Sequence, residues 1–231
     1  MSVINFINEL KLFNAGDVVF NPWNEYTDQY DIGPCAPEIR SLHLQRFLEP
    51  RVKNASYLFV AEALGYQGGR FSGIPLTSER IITGNHSVIN YSNIFDGEVG
   101  TRTSNPLCDQ LKKAQRIRGF SEQTSTIVWK AIIDHNINPY NVVMWNIFPF
   151  HPFEESDGLL SNRTPSSNEF ELGFYYFQKL LSLCPKNIQI ICIGRHSKKI
   201  MDRHGVDNQH LIHPSKGGAQ NFKDGFTSLF S

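Results

Sequence analysis

The sequence predicts an α/β protein, a three-layer α/β/α sandwich with a central, four-stranded, mostly parallel sheet. Short apolar runs bounded by Gly, Pro or Asn have the length of buried strands, and they lie at 57–62, 141–148, 188–194 and 209–214. Helical patterns alternate with these runs, as expected where helices connect parallel strands and cover both faces of the sheet. The 231 residues, 40% of them hydrophobic, are read as a single domain, 1–231, because no linker or repeat divides them.

The elements follow in chain order. Residues 1–36 show no strong pattern and are predicted to be an irregular lead-in, with Trp23 and Tyr26 in the core. Apolar residues at steps of three and four predict a helix at 36–51, before the first strand, and another at 121–136, before the second. The same spacing predicts helices at 166–184 and 217–230, on either side of the last two strands.

Composition excludes several classes of protein. No apolar run approaches the ~18–20 residues that span a bilayer, and the N-terminus lacks a signal-peptide layout, so a cytoplasmic protein without membrane contact is expected. A net charge of zero argues against binding nucleic acid by bulk charge, although it leaves room for a local basic face. The four cysteines fit no zinc or iron–sulfur spacing, so we expect free thiols and no metal.

Polar side chains lie at the end of each predicted strand or just after it. In parallel α/β folds, ligands bind beyond the carboxyl ends of the strands, which meet at one edge. An active site is therefore expected at that edge. The candidate groups in chain order are Glu62, Asn146, His151, Arg195, His196, His213, Ser215 and Lys216.

The first strand opens into a loop that contains Gly65, Gly68, Gly69 and Gly73. No Lys-Ser or Lys-Thr pair follows these glycines, as a phosphate-binding P-loop requires. Their spacing also differs from the G-x-G-x-x-G dinucleotide fingerprint, and Pro75 interrupts the entry into a helix. A tight turn without chemistry and a wall of the active site are the remaining interpretations.

Five short motifs follow one another at the predicted strand ends and loops: "AEALG" (61–65), "GIPLTSE" (73–79), "WNIFPFHP" (145–152), "CIGRHS" (192–197) and "HPSKGG" (213–218). In this order they resemble the motifs of the uracil-DNA glycosylase superfamily, in particular its bacterial branches with G-E-A-P-G and H-P-S motifs. The similarity extends over about 57–230. The resemblance implies that the chain flips a nucleotide out of DNA and hydrolyses its N-glycosidic bond. It implies no metal or organic cofactor.

The resemblance also implies roles for individual residues. His213 would hydrogen-bond the pyrimidine O2 and stabilise the departing base, and Glu62 would orient or deprotonate the water. Asn146 would read the base edge. Further residues are expected to wall the base pocket, and they are Ala63, Gly65, Tyr66, Gln67 and Leu76. Contacts to DNA are expected from Arg70, Ser78, Arg195, Ser215, Lys216 and Gly217.

The match departs from the family at several positions. Ala61 and Leu64 replace the Gly and Pro of G-E-A-P-G, and Ala63 stands where other branches carry a catalytic Asp or Asn. Leu76 replaces a Phe that stacks on the flipped base in relatives, and Phe71, Phe148 or Phe150 is a candidate to supply a ring instead.

The predicted function is that of a monomeric, monofunctional DNA glycosylase acting on uracil or another modified pyrimidine. The departures leave two alternatives: a glycosylase for a bulky modified base, such as a phage-modified cytosine, acting in host defence, and a DNA-binding relative without catalysis. A hydrolase of small nucleosides is a third alternative.

Overall fold

The computed structural model describes residues 1–14 and 16–231 and has the predicted α/β architecture. The strands are β1 (Val19–Phe20), β2 (Tyr57–Ala63), β3 (Val142–Phe148), β4 (His151–Pro152), β5 (Gln189–Ile193) and β6 (Gln209–Leu211). The helices are α1 (Val3–Lys11), α2 (Ala36–Leu48), α3 (Gly69–Ser72), α4 (Glu79–Ile82), α5 (Lys113–Arg118), α6 (Gln123–Asp134), α7 (Ser167–Leu181), α8 (Arg195–Arg203) and α9 (Ala219–Phe230).

The main sheet has the strand order β3-β2-β5-β6, and every neighbouring pair is parallel. Tyr57 lies beside both Val142 and Gln189 at one edge, and Ala63 pairs with Phe148 at the other. All seven residues of β3 are buried, and six of them are apolar, as expected for a strand of a parallel sheet that is covered on both faces. The carboxyl ends of the strands therefore meet at one edge, as predicted.

Helices flank the sheet. Helix α7 packs on β3, α8 on β2 and β5, and α9 on β6 and against α6. Gly173 lets α7 approach the sheet closely, because a Cβ there would lie 2.0 Å from the carbonyl oxygen of Ile147. A capping box between Ser166 and Glu169 fixes where α7 begins. These contacts hold the strand ends at fixed positions.

The prediction of an irregular lead-in over 1–36 is wrong for residues 3–11, which form α1. Val3, Phe6, Ile7 and Leu10 recur at helical spacing and are all buried, so the segment has an amphipathic face that packs on the core. Trp23 is fully buried as predicted. Tyr26 is 41% exposed, so its assignment to the core is wrong.

The segment before α2 supports the glycine loop. The indole N–H of Trp23 donates to the carbonyl oxygen of Gly73 over 3.1 Å. The carboxylate of Asp31 accepts two hydrogen bonds from Arg70, at 2.6 and 3.0 Å, and one from Arg40, at 2.8 Å. All three side chains are fully buried. Burial opposes ionisation of Asp31, but the two guanidinium groups hold the pKa of its carboxyl below its usual value. A buried ion cluster thus anchors α3, which lies within the glycine loop.

The strand predicted at 209–214 ends at residue 211. Ile212 is 49% exposed and Pro214 begins a turn, so the backbone leaves the sheet before His213. None of the helices in the described ranges has the length and apolar content that crossing a bilayer requires. Cys35, Cys108, Cys184 and Cys192 carry free thiols.

Candidate active site

A cavity of about 470 Å³ lies at the carboxyl ends of β2 and β3, beside the turn that follows β6. This volume is within the usual range for a small-ligand site. Ten of the residues predicted for the site line it together: Glu62, Ala63, Gly65, Gln67, Leu76, Asn146, His213, Ser215, Lys216 and Gly217. The fold thus assembles most of the predicted site from three separate parts of the chain.

Asn146 lies near the end of β3, and its side chain is oriented by the neighbouring strand. Its Nδ2 donates to the carbonyl oxygen of Ala63 over 3.0 Å, and the residue is 2% exposed. Its Oδ1 is buried and has no hydrogen-bond partner among the described residues. Since buried polar atoms are normally paired, this acceptor is available for a ligand.

His213 is held in one tautomer by the turn that follows it. The backbone N–H of Ser215 donates to Nδ1 over 3.1 Å, and the Ser215 hydroxyl lies 2.7 Å from the same nitrogen. Because Nδ1 accepts, the neutral ring carries its proton on Nε2. Burial lowers the pKa of His213, and the opposing attraction of Glu62 does not reverse the shift. His213 is therefore a neutral N–H donor at pH 7.

Two glycines shape the backbone around His213. A Cβ on Gly218 would lie 2.2 Å from the carbonyl oxygen of His213, and a Cβ on Gly194 would lie 3.2 Å from the Cβ of His213. Gly194 also has a φ of +92°. The turn after β6 therefore leaves no room for a side chain at position 218, and the backbone conformation at position 194, beside His213, favours glycine.

Glu62 extends from β2 into the cavity, and its side chain is 32% exposed. Its Oε2 lies 3.9 Å from Nε2 of His196, which is beyond hydrogen-bond distance. The ring of His196 stacks on Phe170, with centroids 5.6 Å apart. Glu62 thus keeps solvent access, as a carboxylate that orients a water molecule requires.

The glycine loop forms a wall of the cavity. Gly65 and Gln67 line it, and a Cβ on Gly69 would lie 2.0 Å from Leu64. Gly73 has a φ of +76° and packs against the backbone of Arg40. The loop is therefore closely packed and forms one wall of the cavity.

Leu76 lines the cavity from a strained backbone position. Its φ is +52°, a region that residues other than glycine occupy rarely, and its side chain is 5% exposed. No Phe, Tyr or Trp is among the described residues that line the cavity. Phe148 and Phe150 are buried in the main core, and Phe71 stacks on Phe120 in a separate cluster. None of these rings replaces the one that Leu76 lacks.

Four predicted contacts lie outside the cavity. Arg70 and Ser78 are fully buried, so the prediction that they bind DNA is wrong; Arg70 is instead the partner of Asp31. Tyr66 packs edge-on against Phe120 rather than lining the cavity, and its backbone N–H donates to Oδ1 of Asn162. Arg195 is exposed at the start of α8, outside the cavity.

The sequence interpretation missed Glu122, Asn162 and Arg163, which also line the cavity. Arg163 is held by a bidentate ion pair with Glu169, with distances of 2.6 and 2.8 Å. The position of Glu122 at the start of a predicted helix gave no signal of a ligand site. Within 1–14 and 16–231, no group of three or more His, Cys, Asp or Glu side chains is arranged to hold a metal ion.

No protein-family model matches the chain, and no curated protein matches it. Among solved structures, it is similar to the crystal structure of wild-type SMUG2 from Pedobacter heparinus. The TM-score is 0.62 at 17% sequence identity, and the match covers 100% of this chain and 97% of that one. The likeness shows that the two proteins share the same α/β fold over their whole length.

Proposed function

We propose that this protein is a DNA glycosylase that flips a modified pyrimidine into the cavity and hydrolyses its N-glycosidic bond. The observation that carries the proposal is the convergence of Glu62, Asn146 and His213 on one cavity, with His213 held as an Nε2–H donor. These groups supply a water-orienting carboxylate, a base reader and an anion-stabilising donor. The full-length fold similarity to SMUG2, which is a DNA glycosylase, supports the same function.

In the proposed reaction, the bond between C1′ and the base breaks first, and its electron pair leaves with the base. The Nε2–H of His213 hydrogen-bonds the pyrimidine O2, where negative charge develops. The carboxylate of Glu62 favours the positive charge on the sugar and accepts a proton from the attacking water, whose oxygen bonds to C1′. The base takes up a proton from solvent, so the products are an abasic site and the free base.

DNA would approach along the rim that carries Ser215, Lys216 and Gly217. Lys216 and Gly217 are exposed beside the start of α9, where unpaired backbone N–H groups favour phosphate oxygens. Arg195 lies at the start of α8 and supplies a second positive charge for the DNA backbone. One copy of the chain supplies every residue of the proposed site, so we expect a single domain that is active as a monomer.

Leu76 favours a second candidate within the same class, a glycosylase for a bulky modified base. A ring stacked on the base is worth ~1–3 kcal/mol, and no Phe, Tyr or Trp is among the described residues that line the cavity. The leucine leaves open the space that a ring would occupy. A larger substituent on the base would regain apolar contact there.

The test is single-turnover excision from oligonucleotides that each carry one modified base, with alkali used to reveal abasic sites. We expect Glu62→Gln and His213→Ala each to lower the rate by ~10²-fold or more. Glu155→Gln is the matched control, because Glu155 is an exposed glutamate outside the cavity. Near-normal rates in both site variants contradict the assignment of the site.

An active chain is expected to give no covalent adduct on borohydride treatment, since the proposed mechanism uses water rather than a lysine. Trapped protein–DNA adduct would show lyase chemistry instead. Tight DNA binding without an abasic site on any base favours the binding protein without catalysis. Turnover of free nucleosides favours the small-molecule hydrolase.

A further inference from the structure

Glu122 has an unusual position for a residue that precedes a helix. It is the N-cap of α6, but its side chain makes no capping hydrogen bond to the free N–H groups of that helix. Its carboxylate lies instead against the glycine loop. A Cβ on Gly68 would lie 2.5 Å from Oε2, and a Cβ on Gly65 would lie 3.0 Å from Oε1. A side chain at Gly68 would displace the carboxylate from this place beside the cavity, and one at Gly65 would press tightly against it.

This carboxylate lacks the partners that buried acids usually have. Its Oε2 is buried without a hydrogen-bond partner in the described part of the chain. Burial raises the pKa of Glu122 to about 7. The other titratable groups that line the cavity are Glu62, Arg163, His213 and Lys216. The cause of the raised pKa of Glu122 is its burial. An acid held in this way gains a partner when a ligand supplies an N–H group.

Two of the residues that line the cavity therefore each carry a buried acceptor without a partner among the described residues. One is Oε2 of Glu122, and the other is Oδ1 of Asn146, whose Nδ2 already donates to Ala63. His213 supplies a hydrogen-bond donor instead, because its neutral ring carries the proton on Nε2. A ligand that complements this set offers one acceptor to His213 and more than one N–H to the remaining groups.

Uracil and cytosine differ in the number of N–H bonds that they offer as hydrogen-bond donors. Uracil in DNA has one N–H, at N3, and carbonyl oxygens at positions 2 and 4. Cytosine has an amino group with two N–H bonds at position 4, together with the O2 acceptor, and a carboxylate is a suitable acceptor for that amino group. We propose that Glu122 and Asn146 accept the amino hydrogens of the flipped base, so that the site selects an amino-bearing pyrimidine of the cytosine type over its uracil counterpart.

This inference rests on the proposed glycosylase function and names the substrate class of the same site. The most discriminating pair of substrates is 5-hydroxymethylcytosine and 5-hydroxymethyluracil, which differ in the group at position 4 and share the substituent at position 5. In single-turnover assays on otherwise identical oligonucleotides, we expect the wild type to excise the amino-bearing base at least ~10-fold faster, which corresponds to ~1.4 kcal/mol. Faster excision of the uracil counterpart overturns the inference.

Variants at position 122 test whether this residue makes the choice. Glu122→Ala is expected to bring the ratio of the two rates to within ~3-fold, mainly by slowing excision of the cytosine type. Asp134→Asn is the matched control, because it is an exposed acid at the other end of α6 that pairs with Lys130. An unchanged ratio in Glu122→Ala contradicts the role of Glu122, even if Glu62→Gln abolishes excision.

The pH dependence gives a signature that a purely structural role would not. An ionised carboxylate accepts a stronger hydrogen bond than a neutral one, so the preference for the amino base is expected to rise as the pH rises through about 7. Glu122→Gln keeps the shape and an acceptor oxygen but cannot ionise. It is expected to retain part of the preference with no pH dependence, and a pH-dependent ratio in this variant counts against the inference.

A binding measurement separates this inference from the proposed function. Oligonucleotides with a 2′-fluoro sugar resist cleavage, because fluorine disfavours positive charge at C1′. We expect such DNA with 5-hydroxymethylcytosine to bind the wild type more tightly than its uracil counterpart, and Glu122→Ala to remove the difference. If this difference in binding is found but no base is excised from DNA with ordinary sugars, the inference is supported and the glycosylase function is refuted. Equal binding of both bases, together with excision, refutes the inference alone.

Discussion

Removal of Asp31 is expected to destabilise the protein strongly, because it leaves two buried guanidinium groups without their carboxylate. Asp31, Arg40 and Arg70 all have fully buried side chains. Arg40 retains hydrogen bonds to the carbonyl oxygens of Pro22 and Glu25. Both terminal nitrogens of Arg70 donate hydrogen bonds to Asp31, and its Nε has no partner among the described residues. Arg70 is therefore the group that Asp31→Ala isolates most completely.

The size of the effect follows from burial. Removing one partner of a buried ion pair costs about 3–5 kcal/mol, because the remaining charge stays out of water. In a protein of this length, each kcal/mol lowers the melting temperature by roughly 2–4 °C, so Asp31→Ala should lower it by about 6–20 °C. Asp31→Asn keeps one acceptor oxygen and is expected at the lower end of this range.

Urea denaturation and thermal unfolding, followed by circular dichroism, measure the change. Asp134→Asn is the matched control, since its pair with Lys130 is about half exposed and is worth at most ~1 kcal/mol. A double-mutant cycle of Asp31→Ala with Arg70→Met should give a coupling energy of at least ~1.5 kcal/mol, because the double variant no longer carries an isolated Arg70. A loss in Asp31→Ala no larger than that of the control refutes the reasoning.

The same cluster sets the acid stability of the protein. The pKa of Asp31 in the folded state lies below its unfolded value of 3.8, so its contribution is complete above that value. The contribution is lost as the pH falls through the folded pKa. Wild-type stability should therefore fall more steeply below pH ~4 than that of Asp31→Asn, which has no such proton to bind.

Three further predictions concern the candidate site. Gly218→Ala places a Cβ 2.2 Å from the carbonyl oxygen of His213, so single-turnover excision should fall by ~10-fold or more; a normal rate contradicts the tight turn. The imidazole of His213, followed by NMR, should titrate with a midpoint below its usual pKa of 6.5, because burial disfavours its charged form; a midpoint above 6.5 opposes this. Leu76→Phe should shift the ratio of excision rates towards the smaller of two pyrimidines by several-fold, since the ring fills space in the cavity and stacks on the base.

Much of the sheet and of the central site could be predicted from the sequence because both depend on local patterns. The apolar runs that carry Glu62 and Asn146 near their carboxyl ends are buried parallel strands, and such strands bring their carboxyl ends to one edge. His213 follows the last strand in the same way, although the strand itself ends earlier than predicted. The sequence prediction failed at α1, where a short amphipathic pattern that includes Phe6 and Leu10 was overlooked.

Other features depended on the tertiary structure because their partners are distant in the chain. An arginine in a glycine loop suggests a phosphate contact, and only the fold shows that Arg70 is buried against Asp31, 39 residues earlier. In the sequence, nothing distinguishes Glu122 from an ordinary residue at the start of a helix. Its carboxylate lies beside the cavity because it packs against Gly65 and Gly68 in the folded chain. The sequence by itself determined which segments are buried and which polar groups end the strands, since burial follows local periodicity. Which charges meet, and which remain without a partner, was decided by long-range packing.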